Sequence, residues 1–152
     1  MHRFSIHEAS AAEVQGALSV RIRVFVEIQK FPLDEEKDQH DEDAVHVVIT
    51  DRERGNAVIG TLRILRTADA VKLGRIVVLP EYQGLGLGRR LMEFTEQLIA
   101  QHPELQHCRT IKLGSQCDKR GFYEKCGYLP RGEVYDELGC PHIWMFKQVR
   151  HA

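Results

Sequence analysis

The chain has 152 residues, 43% hydrophobic and 28% charged, which is enough for one well-filled core and argues against a disordered chain. A formal net charge of -1 does not favour a nucleic-acid partner, since duplex-binding proteins are usually basic. No apolar run approaches the ~18 residues that cross a bilayer, and Met1 to His7 lack the apolar core of a signal peptide, so no membrane partner and a cytoplasmic location are expected.

Phe4-Ser5-Ile6 reads as a short first strand. Ser10 can cap a helix that carries Val14, Leu18, Ile22 and Phe25 on one face and that Pro32 stops. Asp34 to Asp43 is acidic and reads as exposed. Val45 to Ile49 is apolar on both faces, as in a central strand. Asp51 to Asn56 makes a turn, Ala57 to Leu65 returns, and Val71 to Leu79 forms the next strand after a turn at Thr67 to Ala70. A glycine-rich stretch follows, Gln83-Gly84-Leu85-Gly86-Leu87-Gly88-Arg89. A helix then shows Leu87, Leu91, Phe94 and Leu98 on one face and ends near Pro103. Thr110 to Leu113 is a strand, Asp118 to Lys125 a short helix stopped by Gly127, and Val134–Glu137 and His142–Val149 are two last strands. The order β-α-β-β-β-α-β-α-β-β predicts a single domain over 1–152, α/β in class (α+β in layout), with a mixed sheet flanked by helices. No repeat, linker or low-complexity segment interrupts it.

Strand, glycine turn and helix form a common way to hold a phosphorylated cofactor, because bare amides and the positive helix end face the phosphate. A nucleotide P-loop needs a Lys followed by Ser or Thr after its last glycine; here Arg89-Arg90 stand there. A dinucleotide fingerprint needs G-x-G-x-x-G early in the chain and an acid closing the next strand; here the spacing is G-x-G-x-G and Thr110 to Leu113 end without an acid. A plain tight turn is the remaining simple reading. The cysteines, Cys108, Cys117, Cys126 and Cys140, form no C-x-x-C pair and read as reduced thiols, with zinc-like spacing missing and no metal expected. A thiol enzyme built on Cys117 or Cys126 with His142 has no local signature in its favour.

Gln83-x-x-Gly86-x-Gly88 resembles the Q/R-x-x-G-x-G/A signature of the GNAT acetyltransferases, which bind acetyl-coenzyme A (acetyl-CoA). Val78 to Gly84 is similar to that family's strand end, and Gly121-Phe122-Tyr123-Glu124-Lys125-Cys126-Gly127-Tyr128 to its late F-Y-x-x-x-G-F/Y segment. The likeness spans roughly residues 4 to 148 and implies a GNAT-like domain with a mostly antiparallel central sheet. Arg21, Val24 to Glu27, Gln29, Pro32, Asp34, Glu36, Asp38, Asp41, His46 and Pro141-His142-Ile143 resemble a subgroup of small, mostly uncharacterised acetyltransferases. Some similarity to glucosamine-6-phosphate acetyltransferases lies at Tyr82 to Gly84 and Phe122 to Gly127. Those enzymes carry adjacent acids where this chain has Gly74-Arg75, which argues against that sugar.

The resemblance implies direct transfer of an acetyl group, in a ternary complex, to a primary amine of a small molecule. It places coenzyme A between the strand ending at Leu79 and the one at Thr110 to Gly114. Main-chain groups of Ile76 and Val78 would then hold the pantetheine arm and the acetyl carbonyl. Amides of Gly84, Leu85, Gly86, Leu87, Gly88 and Arg89 would hold the pyrophosphate, with Gln83 and Gln116 adding side-chain contacts. Tyr123 is the expected acid for the leaving thiolate, against a simple packing role. Glu27 and His46 are the candidate bases, with His142 a weaker third. Glu27 could equally be a solvated helix-end acid, and His46 a satisfied core histidine. The acidic stretch reads as a solvated loop or as a fence that draws a cationic acceptor, and Arg21, Arg23 and Arg63 could pair with it or with a substrate phosphate. A non-catalytic acetyl-CoA-binding regulatory module and an aminosugar-phosphate acetyltransferase remain as alternatives. A homodimer is compatible with the family likeness.

Overall fold

The chain is described by a computed structural model over residues 2–36 and 38–149; Met1, Lys37 and 150–152 lie outside the described residues, so the expected signal-free start at Met1, the Lys37 position of the acidic stretch and the far end of the 1–152 domain are not covered. Residues group into two compact units, one of Met1–Leu65 with Arg75–Thr95 and one of Arg66–Gly74 with Glu96–Ala152.

In the first unit, β1 (Phe4–Glu8) pairs antiparallel with β2 (Val45–Asp51), and β2 pairs antiparallel with β3 (Ala57–Arg66, its last residue belonging to the second unit). Strand β2 is buried from His46 to Asp51, as its two apolar faces predict. The β2–β3 turn is held by the Asp51 carboxylate accepting from the Glu53 amide, and Gly55 supplies a left-handed φ of 64°.

Helix α1 (Ala11–Arg21) starts in a capping box between Ser10 and Glu13. Its expected stripe is displaced: Ala17, Val20, Arg21, Val24 and Phe25 are buried, whereas Val14, Leu18 and Ile22 are half-buried. The inward face runs instead along Ala17, Val20 and Arg21, whose guanidinium is buried by its ion pairs to Glu36 and Asp41, and a wider π-helical turn follows over Ile22–Ile28. The helix also runs close to β3: a methyl group on Gly16 would sit 2.7 Å from Val58 Cγ2. The acidic stretch contains a short helix α2 (Leu33–Glu36) and a 3-10 turn, Gln39–Glu42, capped by Asp38.

In the second unit, the start of β4 (Ala70–Val78) pairs parallel with β5 (Thr110–Gln116) from Ala70↔Thr110 to Leu73↔Leu113. Helix α3 (Leu87–Gln101) comes between them in sequence, and α4 (Arg120–Lys125) follows β5. Two short strands, β6 (Leu129–Pro130) and β7 (Tyr135–Glu137), each pair antiparallel with β8 (Cys140–Gln148), which also pairs antiparallel with β5. Alternation sorts β5: Ile111, Leu113 and Ser115 are buried, Lys112, Gly114 and Gln116 half-buried. Tyr128 is fully buried; its hydroxyl donates to Glu96 Oε2 at 3.1 Å, and Lys147 Nζ reaches Glu96 Oε1 at 2.8 Å.

The hydrogen-bonded strand order is β1-β2-β3-β4-β5-β8-β6, mixed and mostly antiparallel, as expected. Helix α3 differs from its expected stripe, burying Leu87, Leu91, Met92, Thr95 and Ile99 with Phe94 and Leu98 at the flank. The core face is turned to run through Met92, Thr95 and Ile99, and it takes in a polar residue that apolar spacing does not mark.

Gly16→Ala should cost about 1–3 kcal/mol, because the stiff β-branched Val58 cannot move aside without backbone shift. A lower urea midpoint at unchanged slope is the measure.

Candidate functional site

The glycine loop is anchored before it begins. Leu79 donates its amide to Ile59 O at 2.9 Å, and Pro80–Tyr82 form one 3-10 turn. Tyr82, buried, donates its hydroxyl to Asp51 Oδ2 at 2.6 Å, and its ring meets Phe4 edge-on at 5.9 Å. The same carboxylate accepts from Arg3 Nε and Nη2 at 3.0 and 3.1 Å. The Arg3 hydrogen bond outweighs burial and, with Tyr82 helping, holds the Asp51 carboxyl at a pKa of about 2. Bonding to Asp51 in turn raises the Tyr82 hydroxyl above its usual range.

Past this anchor, Gly84 (φ 84°) and Gly86 (φ 75°) take left-handed conformations. Open space surrounds both, so glycine is needed there for backbone angle and not for room. Helix α3 begins at Leu87, and its first regular turn closes with Arg90 N donating to Gly86 O. The amides from Gly84 to Arg89 donate no well-formed hydrogen bond within the described residues. Unclaimed donors at the positive end of a 15-residue helix are a ready anion receptor. Gln83 is exposed, and its amide donates to Val78 O at 3.2 Å, tying the loop to the strand end. On β4, Ile76 and Val78 are half-buried, whereas Val77, and Leu79 just past the strand, are buried. Arg75 has a left-handed φ of 53°, unusual for a non-glycine strand residue.

The acidic stretch is not simply solvated. Asp34, Glu35, Glu42 and Asp43 are exposed, but Glu36 is buried and Asp38 and Asp41 are half-buried against arginines. Arg21, only 2% exposed, reaches Glu36 Oε1 at 2.8 Å and Asp41 Oδ1 at 2.7 Å. Arg63 grips Asp38 at 2.7 and 3.0 Å and Asp41 at 3.0 Å. Burial opposes ionisation of Asp41, yet bonding to Arg21 and Arg63 holds its carboxyl at about 2. Asp38 is lowered in the same way, against burial, by Arg63 and Arg75. Arg23 pairs instead with exposed Glu81, at 2.7 Å.

His46 is buried, with Nε2 at 2.9 Å from the Asp41 carbonyl; an acceptor there requires the proton on Nε2 and leaves Nδ1 as the remaining ring nitrogen. Glu27 is exposed on the π-helical turn, a distortion common at functional sites.

In the second unit, Tyr123 lies on α4, 8% exposed, with its ring edge-on to Phe122 at 5.1 Å and to Tyr128 at 6.4 Å. Burial raises its hydroxyl well above the usual range, so it stays protonated and can donate. Gln116, half-buried, ends β5 opposite His142. His142 Nδ1 meets the Cys140 carbonyl at 2.8 Å, and Nε2 lies 3.2 Å from Glu137 Oε2. The four cysteines are unbridged. No grouping of three His, Cys, Asp or Glu suited to a metal occurs among the described residues, and no described helix is long and apolar enough to cross a membrane.

Sequence reasoning missed the Asp51–Tyr82–Arg3 anchor. Its local signal was one acid, Asp51, closing a mostly apolar strand.

The mixed sheet that leads through a strand, a glycine turn with bare amides and a helix agrees with the acetyltransferase class that the sequence resembles. The acetyltransferase (GNAT) domain model matches residues 42–130, and the chain belongs to that family. It is 31% identical over 150 residues to Protein ElaA of Escherichia coli (strain K12), covering 95% of this chain and 94% of that protein. The crystal structure of Escherichia coli ElaA superposes with a TM-score of 0.79 at 28% identity over 97% of this chain and 99% of that one. An acyl-CoA N-acyltransferase from Pseudomonas aeruginosa matches with a TM-score of 0.80 at 28% identity, covering 95% and 97%. The spermidine N-acetyltransferase from Vibrio cholerae, crystallised with CoA and spermine, shares the fold alone, with a TM-score of 0.71 at 16% identity over 97% and 96%.

Two outcomes are expected. Asp41 and Asp51 have folded pKa values near 2, below the ~3.9 of an unfolded aspartate, so their stabilisation is full above about pH 5 and is lost as pH falls towards 2. Urea midpoints across that window measure it. Tyr82→Phe should lower the midpoint throughout, because Asp51 loses a donor.

Proposed function

We propose that this chain is an acetyl-CoA-dependent N-acetyltransferase, one domain over 1–152, that passes an acetyl group directly to a primary amine of a small molecule in a ternary complex. The observation that carries the reading is the run of unclaimed amides from Gly84 to Arg89, preset by two left-handed glycines. These amides suit the pyrophosphate of the cosubstrate, whose thioester supplies the acetyl group. The CoA named for the Vibrio cholerae structure supports this choice of cosubstrate, and its spermine belongs to that protein.

The chain's own groups then divide the work. Main-chain groups of Ile76 and Val78 orient the pantetheine arm and the carbonyl, and an amide aimed at that oxygen stabilises its developing charge. Gln83 would exchange its bond to Val78 O for one to the phosphate. Gln116, by its place at the end of β5, would face the cosubstrate. Tyr123 gives its proton to the sulfur as the carbon–sulfur bond breaks. The amine, with a free pKa near ~10, must lose a proton before it attacks. Glu27 and His46 are the candidate receivers: the Glu27 carboxylate is exposed, and His46, with Nε2 bonded to Asp41 O, keeps Nδ1 to take a proton. Direct attack makes the nitrogen–carbon bond as the thiol leaves, so acetyl and proton both balance.

Isothermal titration with acetyl-CoA tests the reading, with micromolar binding expected and no binding overturning it. Gly86→Ala should weaken that binding, since a side chain resists φ 75°. Tyr123→Phe should slow turnover on the order of 10²-fold, with cofactor affinity kept; unchanged turnover would leave Tyr123 a packing residue. Tight binding with no thiol release across a broad amine panel would favour the non-catalytic module.

A further inference from the structure

Three arginines and three carboxylates face one another in the first unit, so their formal charges balance: Arg21, Arg63 and Arg75 against Glu36, Asp38 and Asp41. The bonds are not shared evenly. Arg21 commits all three nitrogens: Nε to Glu36 Oε1 at 2.8 Å, Nη1 to Asp41 Oδ1 at 2.7 Å and Nη2 to the Glu36 carbonyl at 2.7 Å. Arg63 holds Asp38 with both terminal nitrogens, leaving only a buried Nε without a partner.

Arg75 is served last. Its one good hydrogen bond runs from Nη2 to the Glu35 carbonyl, 3.0 Å. Contacts from the same nitrogen to Glu36 O and Asp38 Oδ2 stretch to 3.5 and 3.4 Å. Nε lies 3.2 Å from Glu36 Oε1 but off the hydrogen-bond direction, and it is buried without a partner. Nη1 donates no hydrogen bond among the described residues. Burial, with Arg63 and Arg21 nearby, lowers its pKa although Glu36 and Asp38 act to raise it. Its side chain is nevertheless 25% exposed, so a ligand can reach it.

The buried Nε is out of reach, so Nη1, without a bond of its own among the described residues and held on the fixed plane of the guanidinium beside Nη2, is the donor that a carboxylate can take. The nearest acids do not forbid one, because Glu36 and Asp38 make their short bonds to Arg21 and Arg63. Arg75 also directly precedes Ile76, whose main chain handles the acetyl carbonyl in the acetyl-transfer reading on which this inference rests. We propose that the amine acceptor carries a carboxylate, and that Arg75 receives it and thereby sets acceptor specificity. The acidic stretch then acts chiefly as the scaffold that fixes the arginines, and not as a lure for a polycation.

Matched acceptors differing by one carboxylate test this: lysine against cadaverine, ornithine against putrescine, β-alanine against ethylamine. Thermal shift reads binding without turnover, and release of free CoA thiol reads kcat/KM. At least one carboxylated member should raise the wild-type Tm more than its partner and exceed it about tenfold or more in kcat/KM. Arg75→Gln should erase both differences, and Arg75→Lys should keep part of each, since the charge remains and the fork is lost. Calorimetry with acetyl-CoA on the same proteins shows that the variants fold, and it judges the cofactor reading separately. Equal behaviour within every pair, or discrimination that survives Arg75→Gln, would overturn the assignment.

Discussion

The loop depends on a buried charge. The Asp51 carboxylate, at the end of β2, collects two bonds from Arg3, one from the Glu53 amide and one from the Tyr82 hydroxyl. The start of the chain, the β2–β3 turn and the entry to the glycine loop are therefore referred to the same two oxygens. A buried carboxylate left without donors is costly, so the folded chain is obliged to bring all of them there. The position of the first loop residues follows from that obligation.

What lies beyond the anchor is defined by what it does not bond. A helix start leaves amides without intrahelical partners, and they are commonly satisfied by a side-chain cap. Here the preceding residues are glycine and leucine, which cannot cap, and Gln83 is turned back to Val78. The chain thus keeps free donors at a site where a cap would have been easy to encode. That choice sacrifices some helix stability and is intelligible if a phosphate group completes the turn.

The cluster around Glu36, Asp38 and Asp41 shows how misleading a linear charge run can be. Seven acids between Asp34 and Asp43 suggest a negative surface, yet three of them face arginines drawn from α1, β3 and β4. The opposite charges are far away in sequence, so the neutralisation exists only after folding. The same pairing gives Arg75 its incomplete set of bonds, which no local sequence pattern announces.

Chain-local information determined most of the elements. Ser10 and Glu13 fixed the start of α1, Gly55 the β2–β3 turn and the apolar run 45–49 a buried strand, because caps, left-handed turns and burial patterns act within a few residues. The spacing Gln83-x-x-Gly86-x-Gly88 likewise made the loop legible, since the left-handed φ at Gly86 favours glycine. Tertiary structure alone decided the rest. The inward face of α1 includes Arg21 and the core face of α3 includes Thr95, and no hydrophobic count would select either. Asp51 meets Tyr82, His46 meets the Asp41 carbonyl and Arg75 is left with spare donors through contacts between residues distant in sequence or turned towards one another by folding. Such contacts have no period and no spacing, and so they can be seen only once the chain has closed on itself.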